Sequence, residues 1–139
     1  MHTMRKPLLL IGCLLLLCIP AHGQESPEKT VQPLAEQWLA LMDDEKYGDT
    51  WTEAATSFKQ AVQQPQWENM ARSVRKPLGK PAGRTLKSAQ YTQSLPNAPA
   101  GEYVVLQYQT SFPTLAATET ITMVRDTDKK WRTVGYYVK

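Results

Sequence analysis

The stretch that decides the fold is Glu102–Phe112, EYVVLQYQTSF, in which apolar and polar residues alternate. One face of the extended chain would carry Val104, Leu106, Tyr108 and Phe112, and the other would carry Gln107, Gln109 and Ser111. Successive side chains of a strand point to opposite faces of the sheet. The pattern therefore predicts a strand with one face buried in a core.

Three more stretches around this strand have a strand-like pattern. They are Arg84–Ser94, Thr118–Arg125 and Lys130–Val138. Turn-forming residues separate the strands at Leu95–Gly101 and Asp126–Lys129. Because such short connections join antiparallel neighbours, the four strands are predicted to form a meander.

Upstream of Gly79, apolar residues no longer recur at every second position, as in a strand, but at the spacing of three to four residues that is typical of a helix. Apolar residues recur at helical spacing from Val31 to Met42 and predict the first helix. Thr30 is a candidate N-cap, which places Pro33 in the first turn, where proline is tolerated. A start at Ser26-Pro27 would instead place Pro33 inside the helix and kink it.

Two more helical stretches follow. The second is predicted to begin at Asp49 or Thr50 and to continue to Val62. The third begins at Pro65 and is stopped by Pro77 with Gly79. Its predicted apolar stripe consists of Trp67, Met70, Ala71 and Val74.

Helices first and strands afterwards is the order of an α+β domain. We expect two to three N-terminal helices packed on one face of a curved four-stranded antiparallel meander. The four tryptophans Trp38, Trp51, Trp67 and Trp131 either fill the core or line a ligand cavity.

Residues 1–23 have the features of a secretory signal peptide. Basic residues precede the apolar run Leu8–Ile19, and the small residues Ala21 and Gly23 stand where a signal peptidase requires them. As a helix, the run would span about 18 Å, short of the roughly 30 Å of a bilayer core. We therefore predict cleavage before Gln24 and no stable membrane span.

The leader also determines the expected location and domain limits. Residues 24–29 are predicted to be a short linker and residues 30–139 a single domain, exported to the periplasm or secreted. Lipidation of Cys13 is not expected, because too few apolar residues precede Gly12 and the rest of the apolar run would follow the cysteine.

Both histidines and both cysteines of the chain lie within the leader. The 116 residues from Gln24 onward have neither type, which excludes Ser/His/Asp and Cys/His catalysis and zinc sites in the mature protein. We predict no catalytic residue, no cofactor and no metal site.

Charge is unevenly distributed, although the net charge is only +3. Residues 24–68 carry a net charge of −6, and residues 69–101 have six bases and no acid. The basic segment, residues 72–87, either binds an anionic partner or lies against the acidic helices or solvent. Nucleic acid is not expected as a partner, because aromatic residues do not interleave with the bases. The acidic run Asp43–Glu45 is predicted to be solvated after the first helix.

Glu119 alternates with Ile121 and Met123 and would share their face of the sheet. Tyrosines on the neighbouring strands could supply hydroxyl donors to it, namely Tyr91, Tyr108, Tyr136 and Tyr137. A carboxylate with tyrosines is the equipment of ketosteroid isomerase. Alternatively, Glu119 pairs with Arg125, Arg132 or solvent. The candidate ligand-binding residues are Glu119, Tyr91, Tyr108, Tyr136 and Trp131.

Three segments resemble a bacterial family known as domain of unknown function 4019. The first is WLAL at 38–41 with Tyr47 and Trp51. The second is VRKPLG at 74–79, leading to SAQYT at 88–92 and the fairly specific GEYVVLQY at 101–108. The third is ETITMV at 119–124 with WRTVGY at 131–136. The resemblance covers about residues 32–139. It implies an exported or envelope-associated bacterial protein with a fold similar to the cone-shaped nuclear transport factor 2-like (cystatin-like) folds. It transfers no functional residue.

These observations support three functional hypotheses. We favour a non-catalytic domain that binds an unknown small molecule or an envelope protein. The second hypothesis is a small isomerase- or lyase-type enzyme built on a carboxylate and tyrosines. The third is a structural module that forms a homodimer through the exposed face of the sheet.

Overall fold

The strands form one antiparallel sheet in chain order. The computed structural model describes residues 23–139, so the predicted leader, apart from Gly23, lies outside the described residues. The strands are β1 (Gly83–Thr92), β2 (Tyr103–Ser111), β3 (Ala116–Arg125) and β4 (Trp131–Val138), in the order β1-β2-β3-β4. The predicted meander is confirmed, and the sheet does not close on itself.

Four helical segments precede the sheet. They are α1 (Pro27–Asp43), α2 (Tyr47–Thr52), α3 (Thr56–Ala61) and α4 (Gln64–Arg75). Helices followed by an antiparallel sheet confirm the predicted α+β class. None of the described helices combines the length and the apolar character that crossing a bilayer requires.

Helix α1 begins earlier than predicted. Ser26 is its N-cap, and the Ser26 hydroxyl accepts a hydrogen bond from the Lys29 amide at 3.4 Å. The cap at Thr30 is therefore wrong, and the helix has the alternative start at Ser26-Pro27. Pro33 lies inside the helix but is exposed, so water can reach the carbonyl that it leaves without an amide donor.

The second predicted helix is broken into α2 and α3. The Ala55 amide donates to the Thr133 carbonyl on β4 at 2.8 Å, and the Thr56 amide donates to the Asp126 carboxylate at 2.9 Å. Both amides are thereby directed at the sheet instead of at the preceding helical turn. The result is four helical segments rather than the two or three expected.

The core lies between the helices and one face of the sheet. Trp38 and Trp67 pack at its centre, with ring centroids 6.2 Å apart, and both indole N–H groups donate to Thr50. These two tryptophans belong to the core, and Trp38 also lines an opening at the core margin. Trp51 and Trp131 are partly buried at its margin.

Helix α4 turns a different face to the core than its apolar pattern predicted. Trp67 and Ala71 are buried, whereas Met70 is 51% exposed and Val74 is 46% exposed. Met70 and Val74 were therefore wrongly placed on the buried stripe. Arg75 takes the buried position one turn beyond Ala71, with 3% exposure.

Gly79 redirects the chain between α4 and β1. Its φ of +81° lies in the left-handed region, and an added Cβ would lie 3.0 Å from Pro113 Cγ. Only glycine meets both conditions without strain. The predicted helix stop is confirmed, and this turn carries the chain toward Arg84 at the start of β1.

The outer face of the sheet carries mainly hydroxyl and amide side chains, including Gln107, Gln109 and Thr122. Tyr137 lies on it and is half exposed. The predicted homodimer contact would form here, and it stays a prediction.

Candidate functional site

Glu119 lies on the inner face of β3, opposite Tyr108 of β2, and is completely buried. Three hydrogen-bond donors surround its carboxylate. Arg84 Nε donates to Oε1 at 2.7 Å, and the Thr110 hydroxyl donates to the same oxygen at 2.6 Å. The Tyr136 hydroxyl donates to Oε2 at 2.5 Å. The carboxylate is thus held from three strands.

Asp43, the last residue of α1, joins the same cluster. Arg84 binds it in bidentate fashion, with N···O distances of 2.9 and 3.0 Å, and Arg75 Nη2 donates to it at 2.6 Å. Arg75 Nη1 lies 3.6 Å from Glu119 Oε2. Two arginines therefore bridge two carboxylates. We call the set the arginine network: Asp43, Arg75, Arg84, Thr110, Glu119 and Tyr136.

The environment of the arginine network favours its charges. Burial opposes the charge on Arg84, but hydrogen bonds to Asp43 and Glu119 outweigh it and raise the pKa of Arg84. Burial likewise opposes the charge on Asp43, yet the two arginines lower the pKa of that carboxyl. Burial and the Glu119 charge raise the pKa of Tyr136, so this hydroxyl keeps the proton that it donates.

The alternative pairing of Glu119 with Arg125 or Arg132, and the predicted solvation of Asp43, are wrong. Arg125 binds Glu102 at 3.1 Å, and Arg132 binds Asp126 and Asp128 instead of Glu119. Asp43 is not solvated, because its side chain is only 15% exposed. The local sequence could not show that both carboxylates share the same two arginines.

Of the other candidate residues, only Tyr136 donates its hydroxyl to the Glu119 carboxylate. The Tyr91 hydroxyl donates to Glu102 at 3.3 Å, and the Tyr108 hydroxyl donates to Glu36 at 3.4 Å. Burial and the Glu36 charge raise the pKa of Tyr108. Trp131 lies away from the network, in a groove described below.

The basic segment lies against the acidic end of α1. Arg75 and Arg84 bind Asp43, and Lys80 Nζ lies 3.3 Å from Asp44. This geometry agrees with the interpretation in which the oppositely charged segments pair. Arg72, Lys76 and Lys87 are exposed.

A cleft of about 390 Å³ opens beside the arginine network, between the end of α1 and the loop after α4. We call it the Tyr47 cleft. Its walls consist of Met42, Asp43, Asp44, Glu45, Tyr47, Arg75, Lys76, Gly79 and Lys80. Three acids and three bases therefore surround one opening.

Two buried donors at this cleft lack partners. Within residues 23–139, neither the Tyr47 hydroxyl nor Arg75 Nε makes a hydrogen bond, and both atoms are screened from solvent. A buried polar group left unpaired costs about 1–3 kcal/mol. Burial and the nearby Glu45 raise the pKa of Tyr47, against the opposing charges of Arg75 and Arg72. The hydroxyl therefore remains a donor.

A second opening, the Trp131 groove, has a volume of about 510 Å³ and lies between α1 and the start of β4. Leu34, Trp38, Leu41, Met123 and Trp131 form its apolar walls, and Arg132 and Glu53 are at its rim. Glu119 lines neither the Tyr47 cleft nor the Trp131 groove.

Metal ligands do not converge in the described part of the chain, where no three His, Cys, Asp or Glu residues are grouped suitably. The acidic pair Asp126 and Asp128 instead belongs to the predicted turn. Arg132 binds Asp128 in bidentate fashion, with both N···O distances 2.7 Å.

Sequence reasoning missed Arg75, Arg84 and Tyr47 as site residues. Two of them carried a usable signal. Arg84 has the same strand parity as the inward-facing Leu86, and Arg75 stands eight residues after Trp67, on the same helical face. A charged residue on an apolar face requires a buried partner. Tyr47 had no comparable pattern.

Comparison with known proteins places the chain in a family. No curated protein sequence matches it significantly. A family model described as "Protein of unknown function (DUF4019)" matches residues 34–136, which include most of α1, the other three helices and nearly all of the sheet. The match covers well over half of the chain, and the chain belongs to the DUF4019 family.

Proposed function

We propose that this chain is an exported bacterial envelope protein whose domain binds a ligand without transforming it. Its leader-like residues 1–23 and the absence of histidine and cysteine from residues 24–139 support the proposal. The Tyr47 cleft, with its two unpaired donors, supports binding.

The observation that carries the proposal is the saturation of Glu119. A general base must reach a substrate proton within about 2.6–3.2 Å. Both oxygens of Glu119 already accept hydrogen bonds, from Arg84 and Thr110 on one side and from Tyr136 on the other. The carboxylate is buried and lines neither opening, so its contacts are those of a structural group.

An enzymatic function remains the second candidate because of one contact. The Tyr136 hydroxyl donates to Oε2 of the buried Glu119, and a carboxylate paired with a tyrosine is the arrangement that an isomerase- or lyase-type enzyme would use. Such an enzyme would have to open a path from the surface to this pair.

Native mass spectrometry of the protein purified from the envelope fraction tests the proposal. We expect a chain that begins at Gln24 and a non-covalent adduct that dissociates on denaturation. Retention of residues 1–23 in the native host, or a lipid on Cys13, would contradict the export route as proposed.

Turnover assays separate the two candidates. If the domain only binds, small hydroxy- and keto-compounds will not be converted by the wild-type protein. Conversion that is lost in Tyr136→Phe and retained in Tyr137→Phe, with both variants folded, would establish the enzyme instead. The second variant is a matched control because Tyr137 lies half exposed on the other face of the sheet.

A further inference from the structure

Charge balance in the Tyr47 cleft restricts what can bind there. Asp43 is fully engaged by Arg75 and Arg84. The groups left to a ligand are the carboxylates of Asp44 and Glu45 and the bases that line the same opening. A simple anion would meet the two carboxylates, and a simple cation would meet the bases. A small zwitterion can satisfy both sets of charges.

The unpaired donors indicate how the negative end would be held. Arg75 Nε and the Tyr47 hydroxyl are buried without partners in the described chain, and both residues line the cleft. Two N–H or O–H groups of this kind require oxygen acceptors, and a carboxylate offers two. Tyr47 and Arg75 are each 3% exposed, so a ligand must displace the side chains that cover these atoms.

The rim can open at little cost. Lys80 and Asp44 form an ion pair there at 3.3 Å, with side chains 73% and 49% exposed. Ion pairs this exposed are weak, because water screens the charges and both side chains lose rotamer freedom. Lys80 and Asp44 can therefore release each other, and each can then pair with the oppositely charged group of a ligand.

We propose that the Tyr47 cleft binds a small zwitterion that carries both a carboxylate and an ammonium group, such as a short peptide. The carboxylate accepts from Tyr47, Arg75 Nε and Lys80, and the ammonium group faces Asp44 and Glu45. The volume of about 390 Å³ lies within the range of small-molecule sites. This inference rests on the proposed binding function and specifies its site and ligand class.

Titration with dialanine, followed by two-dimensional amide NMR, tests the inference. The N-acetylated and the C-amidated forms of dialanine serve as an anion and a cation of nearly the same shape. We expect millimolar or tighter binding of dialanine, with shifts concentrated at residues 43–47 and 75–80. Each capped form should bind at least about tenfold more weakly. Equal binding of the acetylated form, or no binding of dialanine, would overturn the proposal.

Tyr47→Phe separates binding from folding. The variant removes a hydroxyl that is unpaired in the unliganded protein, so the midpoint of urea unfolding should stay the same or rise. Dialanine binding should weaken about fivefold to tenfold. Tyr137→Phe should change neither quantity. Unchanged dialanine binding in Tyr47→Phe would overturn the inference, whereas an envelope-derived adduct retained by that variant would leave the proposed binding function intact at another site.

Discussion

The arginine network and the β3–β4 turn both pair arginine with carboxylates in similar geometry, but their surroundings are very different. In the arginine network, Arg84 binds Asp43 at 2.9 and 3.0 Å; in the β3–β4 turn, Arg132 binds Asp128 at 2.7 Å through both nitrogens. Glu119 in the network is completely buried, whereas the Asp128 side chain is 46% exposed. The N···O distances of the two clusters overlap, because Arg75 also binds Asp43 at 2.6 Å and Arg84 binds Glu119 at 2.7 Å.

Burial, rather than distance, sets the consequence of breaking each cluster. Removing one partner of a buried ion pair leaves an uncompensated charge and costs about 3–5 kcal/mol, whereas an exposed pair contributes about 0–1 kcal/mol. The network also joins four strands to α1 and α4, while the turn cluster links residues close in sequence. Equivalent substitutions should therefore lower the free energy of unfolding strongly in the arginine network and only slightly in the turn.

Glu119→Gln should have the largest effect. The amide has nearly the same volume, but Arg75 and Arg84 then share a single carboxylate, Asp43. We expect the free energy of unfolding in urea to fall by about 3–5 kcal/mol. Glu102→Gln is the matched control, because Glu102 pairs with Arg125 in a half-exposed bridge, and its loss should stay within about 1 kcal/mol. A loss below about 1 kcal/mol for Glu119→Gln would show that the network contributes no more than a surface pair.

Acid pH should weaken the network through Asp43. The pKa of Asp43 is lowered in the folded protein by its two arginines, despite burial, so the unfolded chain binds more protons. Its stabilising contribution is complete above the unfolded pKa of about 3.9 and is lost as pH falls toward the folded pKa. One such group changes the free energy of unfolding by at most about 1.4 kcal/mol per pH unit. Unfolding free energies measured between pH 6 and pH 2 should show a shallower acid slope in Asp43→Asn than in the wild type, and identical slopes would be contradictory.

Asp126→Ala should have a moderate effect, because this carboxylate links the turn to α3. It accepts from the Thr56 amide at 2.9 Å and from the Thr56 hydroxyl at 3.0 Å, and it thereby caps a helix preceded by Ala55, which has no capping group of its own. Loss of a cap costs about 1 kcal/mol. Thermal unfolding of Thr127→Ala, an exposed neighbour, is the control. Equal melting temperatures for Asp126→Ala and Thr127→Ala would mean that the cap contributes nothing.

Asp128→Asn should have the smallest effect. Hydrogen bonds from Arg132 lower the pKa of Asp128, but solvent surrounds the pair. At physiological salt, the urea midpoint should equal that of the wild type, since exposed charges are screened. A large destabilisation that persists at high salt would indicate that the geometry of the pair matters more than its exposure.

The contrast between a local turn and a network of distant residues also explains which features could be predicted from the sequence. The turn at Asp126–Lys129 depends on local residues and was predictable, as was the inward face of β3 from the alternation of Glu119 with Ile121 and Met123. The alternating segments also predicted all four strands. Local patterns carried this information, because side-chain direction follows the period of the backbone.

What could not be predicted depends on long-range contacts. The break between α2 and α3 comes from amide hydrogen bonds to Thr133 and Asp126, which are 78 and 70 residues away from their donors. The strand parity of Arg84 and the helical face of Arg75 mark both as inward-facing, but no local pattern shows that both bridge Asp43 and Glu119. The Tyr47 cleft forms where the ends of two helices meet, and no periodicity encodes such an opening.

The central claim is that Glu119 and Arg84 act as one buried structural unit, and a double-mutant cycle tests it most directly. Unfolding free energies would be measured for the wild type, Arg84→Met, Glu119→Gln and the double variant. If the two residues form such a unit, the double variant will be more stable than the sum of the single losses predicts, with a coupling energy of about 2 kcal/mol or more. Additivity within about 0.5 kcal/mol would contradict the claim.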